Sequence, residues 1–233
     1  MSVYIQITSR CNMACDHCCF ACNKTEGEDM SIQTFFKAIG LAENYGEHVT
    51  LGGGEPTIHP KFWEFFGITM GSNIDSFWMA TNGKKSNIAM KLANIAMDNE
   101  YFDIALSQDP WHDPIKPDVI RLFKGMGHEI RDVSYSPYGD TIITNIGSAY
   151  ENGLGTTDDC ACPGLHINPD GTLKMCGCLD SLELGNIHDL DDTVIDRVNE
   201  VTYEYGKECG RDLNQKHIDY IIDNVEFDKE EAA

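Results

Sequence analysis

Cys11, Cys15 and Cys18 stand in the run Ser9-Arg10-Cys11-Asn12-Met13-Ala14-Cys15-Asp16-His17-Cys18. A C-x3-C-x2-C spacing in one loop brings three thiolates around one point. Cubane iron–sulfur clusters normally take four Cys ligands, so three leave one iron open to a ligand that is not protein. A second register has the same spacing, Cys15, Cys19 and Cys22. It starts farther from the preceding apolar run, with Asp16 after its first Cys and Ala21 before its third. In the first register Cys19 and Cys22 are spare. They then serve as packed reduced thiols, since free Cys behaves as a small hydrophobe, or as a redox pair or ligands of another metal.

Other groups with chemical potential follow along the chain. Gly53-Gly54-Glu55-Pro56 combines backbone freedom with a carboxylate. Thr81-Asn82-Gly83 and Ser107-Gln108-Asp109 are polar runs that also suit ordinary turns. Pro110-Trp111-His112-Asp113-Pro114 is a stiff loop that either holds substrate or packs its Trp on a rim. Five more cysteines, Cys160, Cys162, Cys176, Cys178 and Cys209, lie towards the C-terminus.

The cysteine run, with Asn12 after its first Cys and the aromatic His17 before its third, resembles the radical S-adenosylmethionine (radical SAM) superfamily. Gly53-Gly54-Glu55-Pro56 is similar to that family's GGE-P element. The resemblance implies a [4Fe–4S] cluster on Cys11, Cys15 and Cys18, with S-adenosylmethionine on the open iron. It implies cofactor contacts from His17, Gly53, Gly54, Glu55, Thr81, Asn82, Ser107 and Asp109, with Glu55 facing the ammonium of S-adenosylmethionine. Asp109 and His112 are the candidate catalytic groups. Tyr138, beside Tyr135 and Tyr150, is a candidate donor to a product radical.

Cys162 to Cys178, with Gly171-x4-Cys176 and the later Leu184-Gly185-Asn186-Ile187, resembles the SPASM and twitch extensions of this superfamily. That implies an auxiliary [4Fe–4S] cluster drawn from Cys160, Cys162, Cys176, Cys178 and Cys209. A structural zinc is the competing reading, because two C-x-C pairs also supply four thiolates.

These groups need a scaffold that gathers them. Val3 to Ile7 alternates and is rich in β-branched residues, which predicts a strand. Helical spacing follows from Ser31, a good N-cap, to Ala42. Strands are expected at 48–51, 76–80, 102–107, 129–135 and 141–146, with helices between the first of them. Repeating β-α units predict a parallel sheet with outer helices. Residues 1–150 therefore read as an α/β partial (β/α)6 barrel of TIM-like kind, with catalytic groups at the C-terminal strand ends. Residues 151–233 read as a cluster-binding extension: a β-hairpin about Pro169-Asp170-Gly171, then two helices within 190–224.

The 38 acidic and 17 basic residues give a net charge of −21. Phosphate binding needs clustered Lys and Arg, so nucleic acid is not an expected partner. No apolar run reaches the 18 residues of a membrane span, and the start lacks a signal-peptide layout. A soluble, cytoplasmic protein is expected, in which ten cysteines serve metal rather than disulfides. The leading expectation is modification of a ribosomally made peptide, by crosslinking, epimerisation or excision. A flavodoxin or ferredoxin would donate electrons, and a separate partner protein would bind the leader peptide. The alternatives are oxidation of a small metabolite and activation of a partner protein.

Overall fold

β1 (Ser2–Thr8) runs straight into the first cysteine loop and buries Val3, Ile5 and Ile7 on one face. In the computed structural model, residues 2–45, 48–134, 141–158, 164–203, 211–212 and 214–216 are described. Four parallel strands extend the sheet on one side of β1: β2 (His48–Gly53), β3 (Ser76–Thr81), β4 (Phe102–Ser107) and β5 (Glu129–Arg131). Between them come α1 (Ile32–Tyr45), α2 (Phe62–Met70), α3 (Ser86–Met97) and α4 (Pro117–Met126). The predicted cap is present, with Ser31 Oγ accepting from the Thr34 backbone N–H at 3.0 Å. At the other end of the four, Gly127 closes α4 in the left-handed conformation, φ 79°.

Parallel sheets need both faces covered, and here the two faces differ. Val3, Ile5, Ile7, Val49, Leu51, Phe77 and Met79 pack beneath Phe35, Phe65, Leu92 and Phe123 in one continuous core. Phe35 and Phe65 stack with ring centroids 4.1 Å apart. The alternate residues of β1, Tyr4, Gln6 and Thr8, point to the opposite, polar face. There Tyr4 pairs in register with Thr50 on one side and His166 on the other.

The hairpin expected near Gly171 forms β6 (Gly164–Ile167) and β7 (Thr172–Lys174), and β8 (Glu183–Asn186) completes it. β6 lies parallel to β1, with Ser2 opposite Gly164. The eight-stranded order is β5-β4-β3-β2-β1-β6-β7-β8, so Cys176 and Cys178, which follow β7, hang from the same sheet as the first loop. The strand predicted at 141–146 is absent. Thr144 makes one isolated bridge with Thr157, and the Thr156 hydroxyl donates to the Thr141 carbonyl. Side-chain bonds of this kind compete with a ladder. Two helices follow: α5 (Gly147–Glu151) and α6 (Asp192–Tyr203). The second of the two helices expected within 190–224 lies mainly outside the described residues. No helix among the described residues is long and apolar enough to cross a membrane.

Candidate active site

The loop after β1 is closed on itself before any metal is considered. Cys11 N–H donates to the Asn23 carbonyl at 3.0 Å and Ser9 N–H to that of Glu28 at 2.9 Å. Thr8 Oγ1 donates to Asp29 Oδ1 at 2.7 Å, and Arg10 pairs with Asp29 Oδ2 at 2.7 Å. Cys11, Cys15 and Cys18 are free and partly exposed, whereas Cys22 is buried. Ala21 closes the loop with φ 51°, a conformation L-residues avoid.

Burial pushes the Cys11 thiol up to about 11. Burial, with Cys11 and Cys18 as neighbours, pushes Cys15 up to about 12. Cys18 is drawn down to about 6, chiefly by a hydrogen bond with Cys22. A cation that ligates thiolates would offset the cost of ionising the first two.

The glycines of the next motif admit the loop rather than empty space. A Cβ on Gly53, whose φ is 155°, would stand 2.3 Å from the Thr8 carbonyl oxygen. One on Gly54 would stand 2.4 Å from that of Arg10. Both carbonyls accept main-chain bonds here, from Gly54 N–H at 2.9 Å and Glu55 N–H at 3.0 Å. The glycine motif thus clamps the cysteine loop onto the end of β2.

Glu55 is 1% exposed. Its carboxylate accepts from Thr57 N–H (3.2 Å), the Thr57 hydroxyl, the Thr81 hydroxyl (2.9 Å) and Asn82 N–H (2.8 Å). Three of these donors converge on Oε1 and one reaches Oε2, so Oε2 keeps an acceptor position. Burial raises its pKa while these donors oppose the rise. Asn82 then reaches back to the loop, donating through Nδ2 to Asn12 Oδ1 at 2.7 Å.

The loop after β4 supplies Asp109, buried at 6% exposure. Its Oδ1 meets His112 Nδ1 at 2.8 Å and accepts from Trp111 N–H at 3.0 Å. Its Oδ2 lies 3.3 Å from His17 Nε2. Burial works against ionisation, but His112 and His17 outweigh it and hold the carboxyl well below the usual range. The His17 ring lies 5.3 Å from Trp111 and 5.2 Å from His112, centroid to centroid. Ser107 ends β4, half-buried. Tyr138 and Tyr135 lie outside the described residues, and Tyr150 is exposed on α5.

Cys176 and Cys178 are buried beside Ile146, with Cys19 packed against them. Cys160, Cys162 and Cys209 lie outside the described residues. Sequence reasoning missed Tyr4, Phe20 and His166. Tyr4 stacks on His166 at 4.7 Å and meets Phe20 at 5.4 Å, and its hydroxyl accepts from Gly53 N–H at 3.0 Å. The signal was the polar member of the alternation in β1.

Three thiols in one loop fit an iron–sulfur cluster with one iron open to a further ligand. Among the described residues, two buried side-chain atoms have no hydrogen-bond partner: His17 Nδ1 and Gln108 Oε1. A buried polar atom without a partner is costly, and both belong to the loops that surround the three thiols.

The family model described as the radical SAM superfamily matches residues 5–133, more than half of the chain. A tungsten-containing aldehyde ferredoxin oxidoreductase cofactor-modifying protein of Pyrococcus furiosus is 32% identical over 113 residues, 44% of this chain and 30% of that protein. The mycofactocin maturase MftC of Mycobacterium tuberculosis is 30% identical over 105 residues, 45% of this chain and 26% of that protein. The matches thus span less than a third of these relatives' own length. Among solved structures, BtrN in complex with AdoMet and 2-DOIA aligns with TM-score 0.59 at 15% identity, over 90% of this chain and 91% of that one. Streptococcus suis SuiB bound to precursor peptide SuiA aligns with TM-score 0.58 at 13% identity, over 90% and 69%. At these identities the likeness is one of fold.

Proposed function

The chain belongs to the radical SAM superfamily, and from that membership we propose that it is a radical enzyme acting on a peptide. A [4Fe–4S] cluster and S-adenosylmethionine are the family's cofactors, and when bound they supply a 5′-deoxyadenosyl radical that takes a hydrogen atom from substrate. Cys11, Cys15 and Cys18 would hold the cluster. Gly53 and Gly54 keep their loop seated on β2. His17 Nδ1 and Gln108 Oε1 would find partners on the bound nucleoside, and Thr81, Asn82 and Ser107 would line the same site.

Glu55 fixes the Thr81–Asn82 turn. Its Oε2, which accepts a single hydrogen bond, would receive the ammonium of S-adenosylmethionine. Asp109 stays ionised between two histidines and orients both. With Nδ1 committed to Asp109, His112 has Nε2 left to hold or move a proton at the substrate edge. Tyr138 remains the proposed donor to a product radical. Cys176 and Cys178 would hold an auxiliary iron–sulfur cluster, with Cys160, Cys162 and Cys209 as further candidates. Electrons would come from a flavodoxin or ferredoxin, and a separate protein would present the peptide.

The unpartnered His17 and Gln108 atoms beside three open thiols carry the reading of the site. Similarity to a maturase and the fold shared with SuiB, solved bound to precursor peptide SuiA, support a peptide as substrate. The test is the anaerobically reconstituted chain with S-adenosylmethionine, dithionite and a pooled library of synthetic peptides. A peptide that loses hydrogen, with 5′-deoxyadenosine rising above the peptide-free rate, is the expected result. Turnover of an aminocyclitol alcohol, with every peptide unchanged, would overturn the choice of substrate.

A further inference from the structure

Cys19 follows Cys18 directly, yet it packs with Cys176, Cys178 and Ile146 from the far end of the sheet. Three independent contacts hold this juncture together. Phe20 lies against Gly177, where a Cβ would stand 2.7 Å from its Cε1. Gly147, at φ 57°, brings its backbone so close that a Cβ would stand 2.4 Å from the Cys19 carbonyl oxygen. Ser148 N–H donates to the Cys18 carbonyl at 2.9 Å. Cys176 is in turn fixed by its N–H on Ser181 Oγ at 3.2 Å.

The charges at this point are unbalanced. Lys174 is 5% exposed, and its ammonium donates to two neutral acceptors, the carbonyls of Cys178 and Leu179, each at 2.7 Å. Among the described residues no carboxylate pairs with it. A buried cation without a counter-charge is costly. Anionic sulfur beside Lys174 would supply the missing charge.

We propose that Cys19 ligates the auxiliary iron–sulfur cluster together with Cys176 and Cys178, so that the adjacent residues Cys18 and Cys19 serve two different clusters. This assignment deepens the auxiliary-cluster reading above and rests on it. One peptide unit then joins the two centres.

The test is anaerobic reconstitution of the full chain and its Cys19→Ala, Cys176→Ala and Cys11/Cys15/Cys18→Ala variants. Iron, sulfide and zinc are counted per chain, and reduced spectra are recorded by electron paramagnetic resonance with and without S-adenosylmethionine. The native chain should bind about eight irons. Cys19→Ala and Cys176→Ala should each lose about half, keeping the signal that responds to S-adenosylmethionine, which also shows that they fold. Cys19→Ser should keep the second cluster with a shifted spectrum, as an oxygen ligand replaces sulfur. Full iron in Cys19→Ala, with loss in Cys176→Ala, would overturn the role of Cys19 and leave the auxiliary cluster standing. About four irons in the native chain, all lost in the triple variant, would overturn the auxiliary cluster itself. Zinc in place of the second set of irons, released by Cys19→Ala, would overturn the iron–sulfur assignment.

Discussion

His17 Nε2 lies 3.3 Å from Asp109 Oδ2, so the residue before the third cysteine is tied to the loop after β4. The contact joins two segments that the chain brings together only through its sheet. It also leaves His17 Nδ1 buried and without a partner among the described residues.

Asp109→Asn keeps the shape and removes the charge that orients His17 and His112. Supporting residues around a metal site typically contribute 10- to 100-fold. We expect S-adenosylmethionine binding to weaken by about 10-fold or more, with the iron bound by Cys11, Cys15 and Cys18 unchanged. Equilibrium binding and iron assay on one preparation separate the two effects, and undiminished binding would refute the orienting role.

Glu55→Gln replaces one acceptor with a donor that must face hydroxyl or amide hydrogens. A buried unsatisfied group costs about 1–3 kcal/mol. The variant should melt several degrees lower and lose affinity for S-adenosylmethionine as the Thr81–Asn82 turn loosens. A melting temperature equal to that of the native chain would contradict the four-donor arrangement.

Gly54→Ala places a methyl 2.4 Å from the Arg10 carbonyl oxygen and should displace the cysteine loop, lowering iron uptake at the first site. Gly40→Ala is the contrasting case. Gly40 lies inside α1 with open space around it, and alanine in a helix interior gains about 1 kcal/mol over glycine. It should raise the melting temperature with iron uptake intact, as thermal melts and iron counts will show.

His166 is held down to about 3, first by burial and then by Lys174. Its unfolded value is near 6.5, so between pH 6.5 and 3 the unfolded chain binds a proton that the folded chain does not. Stability then falls as pH falls, by up to about 1.4 kcal/mol per pH unit in that window. Asp109, depressed in the fold, adds its own loss at still lower pH, below the ordinary carboxylate range. Melting curves from pH 7 to 5 should show the His166 slope, and His166→Gln should flatten it.

Much of this was legible in the chain. β1 to β4 and their helices announced themselves by alternation and by helical spacing, because one face of each must reach the shared core. The cysteine run and the Gly-Gly-Glu motif were readable because their chemistry is local. What escaped depended on distant pairing. No periodicity shows that β6 lies beside β1, or that this brings Cys176 and Cys178 to Cys19. The segment at 141–146 read as a strand, but the Thr156 hydroxyl takes up its backbone groups. For Glu55 the acid was legible, but not the donors that hold it, since Thr81 and Asn82 come from the next strand end.

The most direct test of the central claim is 5′-deoxyadenosine formation from S-adenosylmethionine and dithionite by the anaerobically reconstituted chain. The native chain should form it, and replacing Cys11, Cys15 and Cys18 by Ala should abolish it. Full activity in that triple variant would contradict the account.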